Sequence, residues 1–452
     1  MIGTSLSRWT MSYFSVALIA FVAAQVLMAT GYGFPSAPIE SPETLVLVHI
    51  SALGWLSLLM SGALTQFVPV LVARPLFSDR LSLPTLVCLV VGIGSLLCGF
   101  LQVGRTIATG FPFFAIASGL LGAGFAVLIW NLGCTLWSAR PLPLPARFVV
   151  VALFSVAAVT ALGIVFALVL GGTTSAAPLI AIAASGLPIH IAAGLGGWLA
   201  FAAMGVSYRL LAMFMLAPDL EGPRPRFAFY FGTMALAVTV LDGFAAIFLG
   251  KSVSIVLLIA LPLGFAALAL YGLDILHLYQ VRKRPTIELN SRMAGFAFTS
   301  LVLAAPLSVV ASATGAPHAY VAAIIYLVSF GWLSGLGLAK LYKIVPFITW
   351  LECFGPVLGK MQTPRVQDLV VEKRARKWFI LYFTAVWLGA GALVVDLNTV
   401  FRGSAVATFV ATCGIIVELI RARRLVDIDP SRQLSTVPKP WLFVSVASQS
   451  PT

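Results

Sequence analysis

The chain has 452 residues, 60% of them hydrophobic and only 10% charged, with a mean hydropathy of +1.03. That length would make about three soluble domains at roughly 150 residues each, but the composition is that of a polytopic membrane protein. At about 20 apolar residues per span, the length holds about twelve spans and leaves no room for a separate soluble catalytic domain. The net charge of +13 would suggest nucleic acid in a soluble chain. Here the 28 Lys and Arg are first divided between two membrane faces, and nucleic acid drops out as a partner.

In chain order, apolar runs predict spans at approximately Met11 to Tyr32, Thr44 to Ala73, Leu81 to Gly104, Phe111 to Ser138, Phe148 to Gly172 and Pro188 to Pro218. Six more follow at Phe227 to Gly250, Val253 to Tyr279, Met293 to Ala313, Tyr320 to Ile344, Trp378 to Leu397 and Ala405 to Ile420. The first run is too long for a signal-peptide core and lacks a small-residue cleavage site. The expected fold is all-α, a single transmembrane domain over residues 1–452. Residues 347–377 mix apolar side chains with Glu352, Lys360, Arg365, Asp368, Glu372, Lys373 and Arg374, which predicts a helix on the cytoplasmic surface or over the bundle mouth. Residues 421–452 form a basic cytoplasmic tail.

With the amino terminus inside, only Arg105, Lys251 and Arg402 among the 28 basic residues fall outside. The positive-inside bias therefore places both termini in the cytoplasm of a bacterial-type inner membrane. The basic stretches are topology determinants first, with membrane lipid, the anionic kind in particular, as a second partner. Cys88, Cys98, Cys134, Cys353 and Cys413 show no paired spacing and are expected to be small core residues.

Self-similarity organises the chain. Span 2 reads HISALGWLSLLMSGALTQFVPV, span 6 reads HIAAGLGGWLAFAAMGVSYRLLAMF, and span 10 ends in FGWLSGLGLAKLYKIVPF. Aligned on Trp55, Trp198 and Trp332, a small residue follows at plus seven (Gly62, Gly205, Ala339). At plus ten and eleven come Thr65-Gln66, Tyr208-Arg209 and Tyr342-Lys343, and at plus fourteen Pro69, Ala212 and Pro346. The anchors fall in spans 2, 6 and 10, so the repeat unit is four helices, in arcs of approximately residues 9–138, 146–281 and 292–420.

A chain of twelve helices in three four-helix arcs resembles the catalytic subunit of the haem-copper oxidase superfamily, including its nitric oxide reductase branch. The local match is to the C-type oxidases. Their tenth span carries a His-x-His pair, then Ala-Leu-Gly-Trp, Gly-Ala-Leu-Tyr-His and a Pro, and His49 to Pro69 resembles that run from the second histidine onward. The superfamily's oxygen- or nitric-oxide-reducing centre needs a haem ligand on the tenth span and three further histidines from the sixth and seventh. Span 7 has none, and span 10 has His318 without the His-x-His spacing. The resemblance therefore implies a degenerate member without a copper centre, and oxidase or reductase turnover is not expected.

A low-spin haem needs only two axial imidazoles. His49 stands six residues before its Trp, matching the family's second histidine, and His190 eight before its Trp, matching the first. At about 100° per residue these offsets point about 200° apart. With arcs arranged as in the family, the two would face each other and clamp a haem b between spans 2 and 6, with Trp55, Trp198 and Arg209 completing the cofactor site. An insertion hidden in Gly196-Gly197 would rotate His190 by about 100°. His318 is an alternative ligand or a surface group. Each outer histidine could equally be an interfacial imidazole bonded to a carbonyl or water. Copper is the lesser metal option, because no Met or Cys stripe accompanies the histidines.

Of the other intramembrane polar groups, Asp242 is the candidate for a buried functional carboxylate. Asp274 and His277, one turn apart, read as an ion pair or a proton relay. Arg209 and Lys343 read as snorkelling cations, with propionate, anion or quinone binding as the functional alternative for either, Tyr208 and Tyr342 as interface anchors, and Asn131 as a helix-helix hydrogen bond. Two functions follow: a haem protein of respiratory electron transfer or of the nitric oxide or oxygen response, with a respiratory-chain or cytochrome partner, or a carrier or assembly factor for copper, haem or a small solute.

Overall fold

A computed structural model describes residues 7–315, 318–429 and 440–445 of the protein. Among the described residues twelve helices are long and apolar enough to cross a membrane, as the composition requires. They are α1 (Thr10–Thr30), α2 (Pro42–Val72), α3 (Asp79–Val103), α4 (Phe113–Trp137), α5 (Leu144–Leu170), α6 (Leu187–Met215), α7 (Pro223–Phe248), α8 (Val253–Gln280), α9 (Leu289–Ala313), α10 (Ala319–Val357), α11 (Glu372–Val394) and α12 (Asn398–Arg423). Among the described residues there is no strand, only one isolated bridge between Leu358 and Met361. Local chemistry sets several helix ends. Ser41 accepts the Thr44 amide at 3.2 Å ahead of Pro42, and Gly31, at φ +80°, closes α1 in the left-handed conformation.

The chain divides into two compact units, one holding residues up to Gly62 and from Ile287 onward, the other Ala63–Thr286. In the first unit α1 packs on the amino-terminal half of α2, α9 on α10, α11 pairs with α12, and α12 also packs on α1. An aromatic core joins these helices. Phe21 stacks on Trp55 at 4.4 Å and on Phe330 at 5.8 Å, while the Trp55 indole donates to Ser334 Oγ at 2.7 Å and Tyr382 donates to the Phe330 carbonyl at 2.7 Å. In the second unit α3 pairs with α4, α5 packs on α4 and on α6, and α7 pairs with α8. Its core gathers Phe201, Tyr208 and Phe229 around Phe148.

The same local pairing therefore occurs three times: the first helix of each quartet packs against the second, and the third pairs with the fourth. Each Gly-Trp anchor also lies in a π-helical stretch: Ile50–Ser57 in α2, Ala192–Ala200 in α6 and Leu327–Ser334 in α10. A π turn leaves the α ladder one residue out of step, and it occurs three times at one register about the Gly-Trp pair. In each case the glycine before the tryptophan meets the preceding helix of its quartet. A Cβ on Gly54 would lie 2.9 Å from the Ala20 side chain and one on Gly331 2.5 Å from Ser300, while one on Gly197 would overlap Ser155.

Residues 347–377 do not form a surface helix of their own. Residues up to Phe354 continue the helical run of α10, Glu372 already begins α11, and only short 3-10 turns lie between. The carboxylate of Glu352 does not end the span because Arg423 meets it at 2.6 Å, both side chains being buried. Arg423 also donates to the carbonyls of Trp441 and Val444, and Ser445 donates to the Arg8 carbonyl, so both ends of the described chain meet at one end of the first unit. Of the cysteines only Cys353 is buried; the other four are half-buried.

Candidate functional site

His49 and His190 each stand just ahead of a π-helical stretch. His49 is half-buried, and its Nδ1 donates to the Leu45 carbonyl one turn earlier at 2.8 Å. That bond calls for a proton on Nδ1, so the neutral ring carries its lone pair on Nε2, the tautomer in which a histidine ligates a metal through Nε2. His190 is positioned by α5 instead. Its ring lies 5.2 Å from that of Phe166, and its Cε1 edge passes over Gly163, where a Cβ would sit 3.4 Å away. The π stretch of α6 begins six residues before its tryptophan and that of α2 five before, so a constant 100° per residue does not carry from Trp198 back to His190. His318 opens the helical run of α10, and its side chain lies outside the described residues.

The other expected site residues belong to the packing. Trp55 is fully buried between Phe21 and Ser334, and Trp198 is buried edge-on to Phe125 at 6.5 Å. Arg209 snorkels to Asp219, both carboxylate oxygens lying 2.9 Å from its Nη1. Lys343, at the equivalent position, pairs with Glu288 at 2.6 Å, and Lys340 is buried within α10. Asp242 is exposed at the end of a fourth π stretch, Val238–Asp242, which overturns its reading as a buried carboxylate. Among the described residues no three His, Cys, Asp or Glu side chains gather as a metal site.

A second constellation was only partly visible in the sequence. Asp274 is fully buried on α8, and its hydrogen-bonding contacts come from other helices. Its Oδ1 lies 2.7 Å from Nε of Arg224 at the start of α7, and its Oδ2 accepts the hydroxyl of Tyr208 on α6 at 2.9 Å. Tyr208 is thus buried rather than an interface anchor. The same tie recurs in the other quartets. Glu418 on α12 forms a two-pronged pair with Arg374 at the start of α11, both contacts at 2.7 Å. Asn131 on α4 bonds both backbone groups of Ser78, just ahead of α3, at 2.9 Å each. Asn131 stands 76 residues beyond Trp55, Asp274 76 beyond Trp198 and Glu418 86 beyond Trp332. One tie, realised with an amide, an aspartate and a glutamate, fastens the third helix to the fourth. The spacing of 76 shared by the first two was the available signal.

Beyond α12, Asp427 lies between Arg374 and Arg421, at 2.6 and 2.7 Å. Burial pushes its carboxyl up, but the hydrogen bonds from the two guanidinium groups outweigh burial and hold it below the usual carboxylate range. With the folded value depressed, the pairing stabilises the fold above the ordinary value of about 3.9 and is lost as pH falls through the lower folded value. Unfolding midpoints followed from about pH 5 to pH 2 should therefore drop more steeply for the native chain than for Asp427→Asn; parallel curves would refute the assignment.

No protein-family model matches the chain, and no curated protein matches it.

Proposed function

We propose that the protein is a haem-binding membrane protein on a scaffold related to the oxidase catalytic subunits. In this reading its three quartets are arcs of one bundle, and a low-spin haem b is held by the imidazoles of His49 and His190. It serves respiratory electron transfer or the response to nitric oxide or oxygen, without a copper centre. The observation that carries the reading is the 2.8 Å bond from His49 Nδ1 to the Leu45 carbonyl, which presents Nε2 as a neutral donor at the position the oxidase motif gives its haem ligand.

The donor set suits the group: two neutral imidazoles satisfy a low-spin iron. Gly163 leaves room for the His190 ring edge, and Phe166 limits its rotation. Arg209 already holds Asp219 and is left out of the ligand set. When bound, the haem would supply one-electron chemistry, while the chain orients the ligands.

The purified protein is expected to be red, with haem b by pyridine haemochrome and a reduced-minus-oxidised alpha band. That band should vanish in both His49→Ala and His190→Ala while helical circular dichroism persists. A colourless native protein, purified from haem-replete cells, refutes the proposal. Loss in His49→Ala but not in His190→Ala would transfer the second ligand to His318.

A further inference from the structure

At the end of the first unit where the chain termini meet, a groove of about 280 Å³ opens between α11 and α12. Gly414 forms its floor: a Cβ there would overlap the Trp378 indole, so only glycine lets the ring settle against α12. Lys377 lies over the same ring at 4.7 Å, and Arg421 closes the rim. The nearby carboxylates are engaged, Glu418 by Arg374 and Asp427 by Arg374 and Arg421. Three cations against two carboxylates leave one positive charge in excess.

Apolar tracks lead to this rim from both helices. Val406, Val410 and Val417 are exposed along one face of α12, with Arg421 a turn further on. Ile380 and Leu388 are exposed along the face of α11 that continues Lys377. In a helix pair that crosses a bilayer, such faces meet acyl chains, and a cation beside an indole sits where the bilayer places its head groups.

We propose that this groove binds an anionic phospholipid, its phosphate at Lys377 and Arg421, its glycerol against Trp378 and an acyl chain along Val417 and Val410. The assignment is independent of the haem reading.

The test is native mass spectrometry of the delipidated full-length protein titrated with phosphatidylglycerol or phosphatidylcholine of identical acyl chains. The native chain is expected to prefer the anionic lipid by about tenfold, and Lys377→Gln to weaken that lipid about fivefold without moving the unfolding midpoint. Val417→Trp, which fills the groove from an exposed position, should weaken both lipids, and Arg376→Gln, an exposed neighbour outside the groove, neither. Equal binding of the two lipids by the native chain, or identical behaviour of Lys377→Gln and Arg376→Gln, overturns the proposal. Full displacement of phosphatidylglycerol by millimolar inorganic phosphate overturns it in favour of a simple anion site.

Discussion

Arg224→Ala is expected to destabilise the detergent-solubilised protein by about 3 kcal/mol, the low end of the cost of leaving one partner of a buried ion pair alone. The carboxylate of Asp274 has no exposed surface, so losing Arg224 leaves it with Tyr208 as its hydrogen-bond donor. The low end applies because the Arg224 side chain is 40% exposed, and its site already admits water. Asp274→Asn should cost less, about 1 kcal/mol, because an amide still accepts from Tyr208 while the freed guanidinium returns to solvent. Asn131 shows that an amide serves at this register of the repeat. The double variant should cost less than the two single losses combined, since no buried charge is left alone. Chemical unfolding in mixed micelles measures all three. Equal costs for Arg224→Ala and Asp274→Asn would mean that Asp274 does not depend on the charge of Arg224.

The twelve spans were legible because each needs a long apolar run, a signal that tertiary packing cannot erase. Their ends were less legible wherever a charge is neutralised inside the bundle. Glu352 read as part of a surface segment beyond span 10, yet it is buried in α10 against Arg423. Arg374 and Glu372 read as part of a surface segment, yet they lie in the first turn of α11, where Arg374 reaches Glu418 and Glu372 accepts the Leu289 amide at the start of α9. A hydropathy rule counts charges without seeing their partners. The Gly-Trp repeat was plain in the sequence, but the π winding around it was not, because a π stretch changes backbone bonding and leaves the residue pattern untouched. That winding separates the two parts of the histidine argument. The motif alignment of His49 rests on residue identities and is unaffected, whereas directions counted at 100° per residue from Trp198 do not apply to His190. The Asp274 tie was half legible: Asp274 read as a paired charge, but Arg224 lies fifty residues earlier on another helix, beyond any local spacing rule.

The adjacent glycines Gly196 and Gly197 should respond to alanine with opposite signs, which isolates the close approach of α5 and α6 from helix propensity. A Cβ at Gly196 would find Leu236 Cδ2 at 3.8 Å, an ordinary contact, so Gly196→Ala gains up to about 1 kcal/mol from the reduced freedom of the unfolded chain. A Cβ at Gly197 would overlap both Cβ and Oγ of Ser155. The Ser155 hydroxyl can rotate away, but its Cβ is fixed to the backbone of α5, so the helices must separate. Overpacking of this kind costs about 1–3 kcal/mol, and it exceeds the propensity gain that both substitutions share. Gly197→Ala is therefore expected to lower the unfolding midpoint, and Ser155→Gly in the same chain to restore part of it by removing the atom that blocks the methyl. The same collision is expected for Gly331→Ala against Ser300, where the Cβ separation would be 2.5 Å. If Gly196→Ala and Gly197→Ala shift the midpoint alike, the first helix of the quartet does not press on the Gly-Trp turn, and the glycine at that register has no packing role.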